Sequence, residues 1–401
     1  MNAVGIVAEY NPFHKGHEYH INRTKELLGS DLPVVAVMSG DFVQRGECAV
    51  FDKFARAKAA VQSGADLVVE LPAPYALSSA ENYALCSVSL LKALRISHIS
   101  FGSECGDIRT LESLAELVCS SSFKSELRSY LSDDPSVSFA SARQILAEKY
   151  LGKSGKLLEG PNNILAVEYL KAIINLEADI TPVTVKRMGA GHDTVSDDLF
   201  RSASDIRERI FKEEDYCRFI PENSFRVFKE ETERGRGPVS LSTLETAALS
   251  RLRSLDRDDY SRIKDAEDGL GNRIYENIRK YSSLEDTVSA SVTKKHPASR
   301  ARRVLMNAVL GITADQTEGL PPPYLRVLAA NVKGTGYLSS IRESALLPII
   351  AKSADIRAES GYCRRVFDIT SLAHDFYVLG FKGKENLLCG EDYRYTPFIK
   401  R

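Results

Sequence analysis

The sequence predicts an α/β fold, a doubly wound parallel sheet, followed by a mainly helical C-terminal domain. Three observations carry this. Four short apolar runs, Val4 to Ala8, Pro33 to Val37, Asp66 to Leu71 and Ile96 to Phe101, recur about thirty residues apart. Between them lie segments whose apolar residues step by three and four, notably Lys53 to Gln62 and Ser79 to Leu94. Strands alternating with helices at this spacing are βαβ units, whose strands run parallel. From Ser240 onward the periodicity is mainly helical.

Taken in order, Val4 to Ala8 is the first strand, Asn11-Pro12-Phe13 the turn at its carboxyl end, and a helix begins near Gly16. After Gly106 the pattern changes to two or three helical stretches within Ile108 to Tyr150, read as a helical insertion over 107–160. A helix from Asn162 to about Ile174 and a strand from Thr181 to Arg187 return to the sheet, and a helix covers Ser204 to Phe211. A first domain over 1–221 therefore closes at Pro221. The charged, glycine-punctuated EETERGRG, Glu230 to Gly237, places a linker at 222–239. The C-terminal domain, 240–401, has Pro321-Pro322-Pro323 as a turn and Tyr393 to Arg401 as a short basic tail.

Length and composition bound the function. At 401 residues the chain can bury a sizeable core, and 53 Lys plus Arg against 54 Asp plus Glu leave local rather than net charge to mark a polyanionic partner. The seven cysteines are scattered with no C-x-x-C pair, as in a reduced protein without disulfides or a cysteine-based zinc site. The first apolar segment is short and interrupted by Glu9 and Asn11, and no run approaches eighteen apolar residues. The expectation is a soluble, cytoplasmic protein with no membrane partner.

The stretch GIVAEYNPFHKGHEYH, Gly5 to His20, holds three of the seven histidines. In open α/β sheets ligands bind at the carboxyl edge of the strands, where a helix N-terminus offers free N–H groups to a phosphate. Gly16 lets an anion approach the backbone, and His14 and His17, three apart, can both donate to one oxyanion. Turn-capping histidines are the plainer alternative. H-x-G-H directly after a first strand favours phosphate chemistry over that, and over zinc, for which no third ligand is well placed. No protein metal site is expected. His20 is as compatible with a solvated helix face.

Five stretches resemble, in order, the tRNA(Met) cytidine acetate ligase family of the H-x-G-H nucleotidyltransferase superfamily: GIVAEYNPFHKGHEYH, VMSGDFVQRGE (Val37 to Glu47), DKFARAKAAVQSGADLVVELP (Asp52 to Pro72), FGSECGDI (Phe101 to Ile108) and PNNILAVEY (Pro161 to Tyr169). The resemblance is close over about the first 210 residues and diffuse beyond. The family often carries tryptophan where this chain has Phe54. The resemblance implies a Rossmann-like catalytic domain that activates acetate with ATP and acetylates the wobble cytidine of elongator methionine tRNA, with ATP as cosubstrate, Mg²⁺ accompanying it, and no DNA partner. It places the ATP site on Val7, Ala8, Glu9, Tyr10, Asn11, Pro12, Phe13, His14, Lys15, Gly16, His17, Glu18, Tyr19 and His20, completed by Gly102, Asn162 and Arg187, with His14 and His17 catalytic.

These choices also have physical sense. Gly102 follows the fourth strand, where a missing side chain leaves room for a nucleoside; an ordinary turn glycine is the bland reading. Asn162 reads as an N-cap taken alone. Arg187 ends a strand, where a guanidinium can hold phosphate oxygens bidentately. Ser202, Ser204 and Arg207 resemble the S-x-S-x-I-R element that supplies secondary phosphate contacts, with Ser204 also a plausible N-cap. Lys53, Arg56 and Lys58 read first as a solvated helix face, second as a surface for RNA or pyrophosphate. The stretch from Lys294 to Arg303, with Lys294, Lys295, Arg300, Arg302 and Arg303 and no acid, is the best footprint for tRNA. Lys382, Lys384, Tyr393, Arg394, Tyr395, Lys400 and Arg401 add basic and aromatic character. A nucleotidyltransferase joining AMP to a small phosphorylated metabolite is the alternative function. No general base for the acetyl transfer stands out.

Overall fold

A computed structural model describes residues 2–134, 137–187, 200–317 and 319–401. Strands β1 (Val4–Ala8), β2 (Val34–Ser39), β3 (Leu67–Leu71), β4 (His98–Ser103) and β5 (Thr181–Lys186) form one parallel sheet in the order β5-β4-β1-β2-β3. In register, Ile6 stands beside Ala36 and Ser100. The chain winds from β1 outward to β3, then crosses to β4 on the other side of β1. The switch point of the sheet therefore lies between β1 and β4, where open α/β sheets hold their ligands.

Both faces are covered, which is why the strands read as continuous apolar runs. Val4, Ile6, Val34, Ala36, Met38 and Val68 face one core, built with α1 (Lys15–Leu28) and α2 (Lys53–Gln62). Their neighbours Val35, Val37, Leu67, Val69 and Ile99 face the other. On that second side lie the short α3 (Ala73–Ala76), α4 (Ala80–Ala93), α5 (Ile108–Cys119) and α8 (Pro161–Asn175), with α6 (Ser121–Asp133) and α7 (Phe139–Leu151) packed on α5, so that the expected insertion is three helices. Helix α9 (Ala203–Phe211) returns to the first face through Ile206 and Ile210.

The sequence expectation of a linker at 222–239 is corrected. Residues 222–233 form α10 (Glu222–Glu233), whose Val227 and Phe228 are buried on α2, with Phe228 stacked on Phe51 at 4.6 Å. The charges that made this stretch look like loop are used in ion pairs: Arg236 bridges Asp52 and Glu391 at 2.9 and 3.0 Å.

The C-terminal part also differs from a separate helical domain. Helices α11 (Glu245–Ser254), α12 (Arg257–Arg262), α13 (Leu270–Lys280), α14 (Leu284–Ser291) and α15 (Ala298–Leu310) do share a core, but Phe42, Cys48 and Leu77 from the first half belong to it. Strand β6 (Leu325–Asn331) then joins the sheet antiparallel to β3. After α16 (Val332–Ile341), strand β7 (Ile349–Ile350) pairs with the start of β6. Helices α17 (Ser353–Ala358) and α18 (Gly361–Tyr377) follow, and β8 (Phe398–Lys400) pairs with the end of β6. The residues expected to form a basic tail are thus an edge of the sheet. Tyr395 stacks on Phe54 at 3.7 Å, so the aromatic ring at position 54 anchors the chain's end. Among the described residues no helix is long and apolar enough to cross a membrane.

Candidate active site

The carboxyl ends of β1, β4 and β5 converge on a cleft of about 220 Å³ lined by His14, Gly16, His17, Tyr19, His20, Gly102, Asn162, Arg187 and Ser202, with Val185, Lys186, Phe200 and Arg201. Local sequence builds its centre. His14 is the N-cap of α1, and its Nδ1 accepts from the Gly16 N–H at 3.0 Å. The His17 Nδ1 accepts from the backbone N–H of His14 at 3.2 Å, closing a reciprocal cap. The two rings stack with centroids 3.7 Å apart. A Cβ on Gly16 would stand 2.8 Å from the His14 ring, so glycine is required for this arrangement.

These contacts fix the protons. A ring nitrogen that accepts from N–H is unprotonated, so each neutral ring carries its proton on Nε2. Both rings are neutral: burial first, then the charges of Arg187 and Arg207, hold His14 down at about 3. Burial and then the neighbouring His14 hold His17 well below its ordinary value. The result is two parallel imidazoles with Nε2–H left to donate, at the N-terminus of a helix whose dipole favours an anion.

His20, expected in the ATP site with a solvated helix face as the other reading, is on the cleft wall. Its Nε2 lies 2.9 Å from Ser100 Oγ, which lies 2.7 Å from Thr24 Oγ1, and Thr24 donates to the His20 carbonyl at 2.8 Å. With the Thr24 proton so used, Ser100 donates to Thr24 and accepts from His20 Nε2–H. His20 therefore keeps Nδ1 as an acceptor, suited to a hydroxyl or amine rather than to a phosphate. Burial, then Arg187, lowers it to about 4.

The remaining expected residues divide. Of the span Val7 to His20, Tyr10 and Phe13 are core residues, and Val7 and Ala8 pack against the two cores. The Asn11 side chain accepts from Val50 N–H at 2.8 Å, and Glu9 accepts from Gln44 N–H at 3.1 Å. Pro12, buried, joins Asn11 through a cis peptide bond; neither it nor Lys15 nor Glu18 is on the cleft wall. Gly102 faces Arg187, whose Cγ would lie 3.2 Å from an added Cβ.

Asn162, expected in the ATP site, is on the wall, and its plainer reading as an N-cap does not hold. Gly160 holds that position, and the carboxylate of Glu104 accepts from the N–H groups of Asn162 and Asn163 at 3.0 and 2.7 Å. Glu104 also accepts from Asn162 Nδ2 at 2.6 Å, which leaves the amide oxygen of Asn162 for the cleft. Sequence reasoning missed Glu104 and Asn163, although both stand in the quoted motifs. Lys186, beside Arg187 in TPVTVKR, carried a signal; Phe200, which meets Tyr19 edge-on at 5.8 Å, carried none. Ser202, not Ser204, caps α9, accepting from Asp205 N–H at 3.1 Å. Ser204 instead accepts from Arg207 at 3.2 Å, and Arg207 also donates to the Asn11 carbonyl at 2.9 Å.

One cationic expectation is corrected, and the basic run proves largely ion-paired. Lys53 and Arg56 are fully buried, so they form neither a solvated face nor an RNA surface. Arg56 donates to the carbonyls of Glu9 at 2.6 Å and Ser39 at 3.2 Å, tying together the carboxyl ends of β1 and β2. Lys58 pairs with Glu230 at 3.2 Å. In the basic run, Arg303 is buried against Asp265 at 2.8 Å, Arg300 meets Glu267 at 3.1 Å, and Lys295 meets Asp268 at 2.9 Å. Arg302 lies 3.7 Å from Glu47, and Lys294 is exposed. Acids from 265–268, distant in sequence, thus neutralise much of the run.

A family model for HIGH nucleotidyl transferases matches residues 1–390. The tRNA(Met) cytidine acetate ligase of Thermoanaerobacter sp. (strain X514) is 37% identical over 409 residues, covering 100% of each chain. That of Caldicellulosiruptor saccharolyticus is 41% identical over 348 residues, 86% of each. Among solved structures, Thermotoga maritima TmcAL bound with alpha-thio ATP superposes with a TM-score of 0.92 at 31% identity, covering 100% of this chain and 99% of that one.

Proposed function

Because the chain belongs to the HIGH nucleotidyl transferases and, among them, to the tRNA(Met) cytidine acetate ligases, we propose that it binds ATP in the switch-point cleft and uses it to activate acetate. Acetate oxygen attacks the α-phosphorus, pyrophosphate leaves, and the acetyl-adenylate passes its acetyl group to the exocyclic amine of the wobble cytidine of elongator tRNA(Met), giving N4-acetylcytidine. The observation that carries the reading is the stacked, neutral pair His14 and His17, each with Nε2–H free to donate at the start of α1. Charge that builds on the phosphoryl oxygens is met by these two donors, held in place by the cap, and by the exposed guanidinium of Arg187 at the cleft wall. Ser202 lines the cleft and is taken as a further phosphate contact together with Ser204 and Arg207, which lie next to it on α9 outside the cleft lining.

Mg²⁺ would accompany ATP as its counter-ion, held by phosphate oxygens and water. The tRNA backbone meets the exposed Lys294 and the partly exposed Arg302 of the basic run, and the cytoplasm is where such a substrate is found. The relatives' shared name favours acetate over AMP transfer to a small phosphorylated metabolite. Incubation with ATP, labelled acetate and bulk tRNA tests the reading: label is expected in RNA. Label confined to a nucleotide product, or none, would overturn it.

A further inference from the structure

Helix α9 begins on the switch-point cleft, at its N-cap Ser202, and ends on a second cleft of about 300 Å³. The second cleft lies between the loop that carries Glu47 and helices α11, α14 and α15, and is at the small end of ligand pockets, about 300–1,000 Å³. Arg207 is five residues beyond Ser202, about 8 Å along the helix axis. The two clefts therefore share helix α9, and Arg207, which lines the second, donates through Nη1 to the Asn11 carbonyl three residues before His14.

Three features define what the second cleft would take. The carboxylate of Glu47 stands between two guanidiniums, 3.4 Å from Arg207 Nη2 and 3.7 Å from Arg302 Nη1, and is 32% exposed, so it has capacity to accept further hydrogen bonds. Gly46 seats it: at φ 79°, with an added Cβ only 2.6 Å from the Arg302 backbone, this glycine lets the loop lie directly on α15. Phe211, 43% exposed, offers an aromatic face. The lining has three carboxylates, Glu47, Glu245 and Glu285, against two guanidiniums. That balance disfavours a phosphate and suits a flat neutral base that presents an amine.

We infer that this cleft seats the acceptor cytidine, with its ring on Phe211 and its exocyclic amine donating to Glu47, which takes the amine proton as the acetyl group arrives. The inference rests on the ligase reading above. The amine nitrogen forms a bond to the acetyl carbonyl carbon. The bond from that carbon to the phosphate oxygen breaks, and AMP leaves with the electron pair. One of the two amine protons passes to the Glu47 carboxylate. Uracil would turn its O4 lone pairs towards the same carboxylate, so the geometry selects cytosine without reading any other base.

The test uses two tRNA transcripts, with cytidine or uridine at the acceptor position, titrated against the full chain without ATP. The wild type is expected to prefer cytidine by about tenfold. Glu47→Gln, whose amide can accept from an amine or donate to a carbonyl, should bind both alike. Phe211→Ala should weaken both by about tenfold through lost stacking. With ATP and acetate, Glu47→Gln should slow acetyl transfer about a hundredfold more than it slows acetate-dependent pyrophosphate exchange. A retained cytidine preference in Glu47→Gln, or wild-type binding by Phe211→Ala, would overturn the inference. Absence of exchange in the wild type would instead overturn the ligase reading. Should Glu47→Gln fail to fold, Ser242→Trp, filling the cleft from an exposed loop, is expected to abolish acetyl transfer, and unaltered transfer would overturn the inference.

Discussion

Lys53 Nζ lies 2.8 Å from Asp392 Oδ2, a fully buried contact across 339 positions of sequence. The same ammonium lies 2.9 Å from Glu70 Oε1, and Asp392 is also 3.2 Å from Arg326. Burial alone would discharge the lysine, but Asp392 and Glu70 outweigh it and raise its pKa. Lys53→Met should therefore cost about 3–5 kcal/mol by leaving two buried carboxylates short of a partner. The check is a lower urea midpoint with the slope unchanged. A loss below about 1 kcal/mol would mean that the network relaxes around the vacancy.

His374 lies 2.9 Å from Asp41 and 3.0 Å from Glu391, and joins the same interior. Burial opposes its charge, yet Asp41 and then Glu391 raise it to about 10 from an ordinary 6.5. Between these values the folded chain holds a proton that the unfolded chain does not. Its contribution is thus complete below pH 6.5 and is lost as pH rises through 10. His374→Gln should lower overall stability and flatten the alkaline decline, read from urea midpoints across that window. An unaltered alkaline slope would contradict the assignment.

His14 and His20 act in the opposite direction. Their folded values, about 3 and about 4, lie below the ordinary 6.5, so the unfolded chain binds more protons between them. Stability is expected to fall as pH drops from 6.5 towards 4, and His20→Asn should lessen that fall. The same titration, run on the acid side, decides it.

Gly16→Ala tests the positioning of the histidine pair. An added Cβ at 2.8 Å displaces the His14 ring, while alanine suits a first helical turn. Adenylation should fall about a hundredfold with the fold intact. Wild-type exchange would show that the ring position does not matter.

The first half of the fold was legible because period and spacing state it directly: Lys53–Gln62 is a helix with the bounds its apolar steps gave, and β1 to β5 fall on the apolar runs. What was not legible depended on distant partners. Lys53 and Arg56 have the local pattern of a solvated face, and only Asp392, Glu70 and the carbonyls of Glu9 and Ser39 make them interior. Strand β6 returns to the sheet next to β3, a pairing that no local period announces. Likewise the basic run meets Asp265, Glu267 and Asp268, acids about thirty residues upstream. In the site, His14, His17 and Gly16 were legible because one helix start holds all three; the Glu104 clasp on α8 was not, because it joins two motifs 58 residues apart.

The central claim is that His14 and His17 stabilise the phosphoryl transfer that makes acetyl-adenylate. It is tested most directly by acetate-dependent exchange of labelled pyrophosphate into ATP, measured without tRNA for the wild type, His14→Ala and His17→Ala, with urea midpoints taken in parallel. Losing two to three powers of ten in exchange in each variant is expected, about the effect of removing one preorganised donor, with midpoints lowered by no more than the loss of a helix cap, about 1 kcal/mol. Exchange at the wild-type rate in either folded variant would remove that histidine from the chemistry and contradict the account.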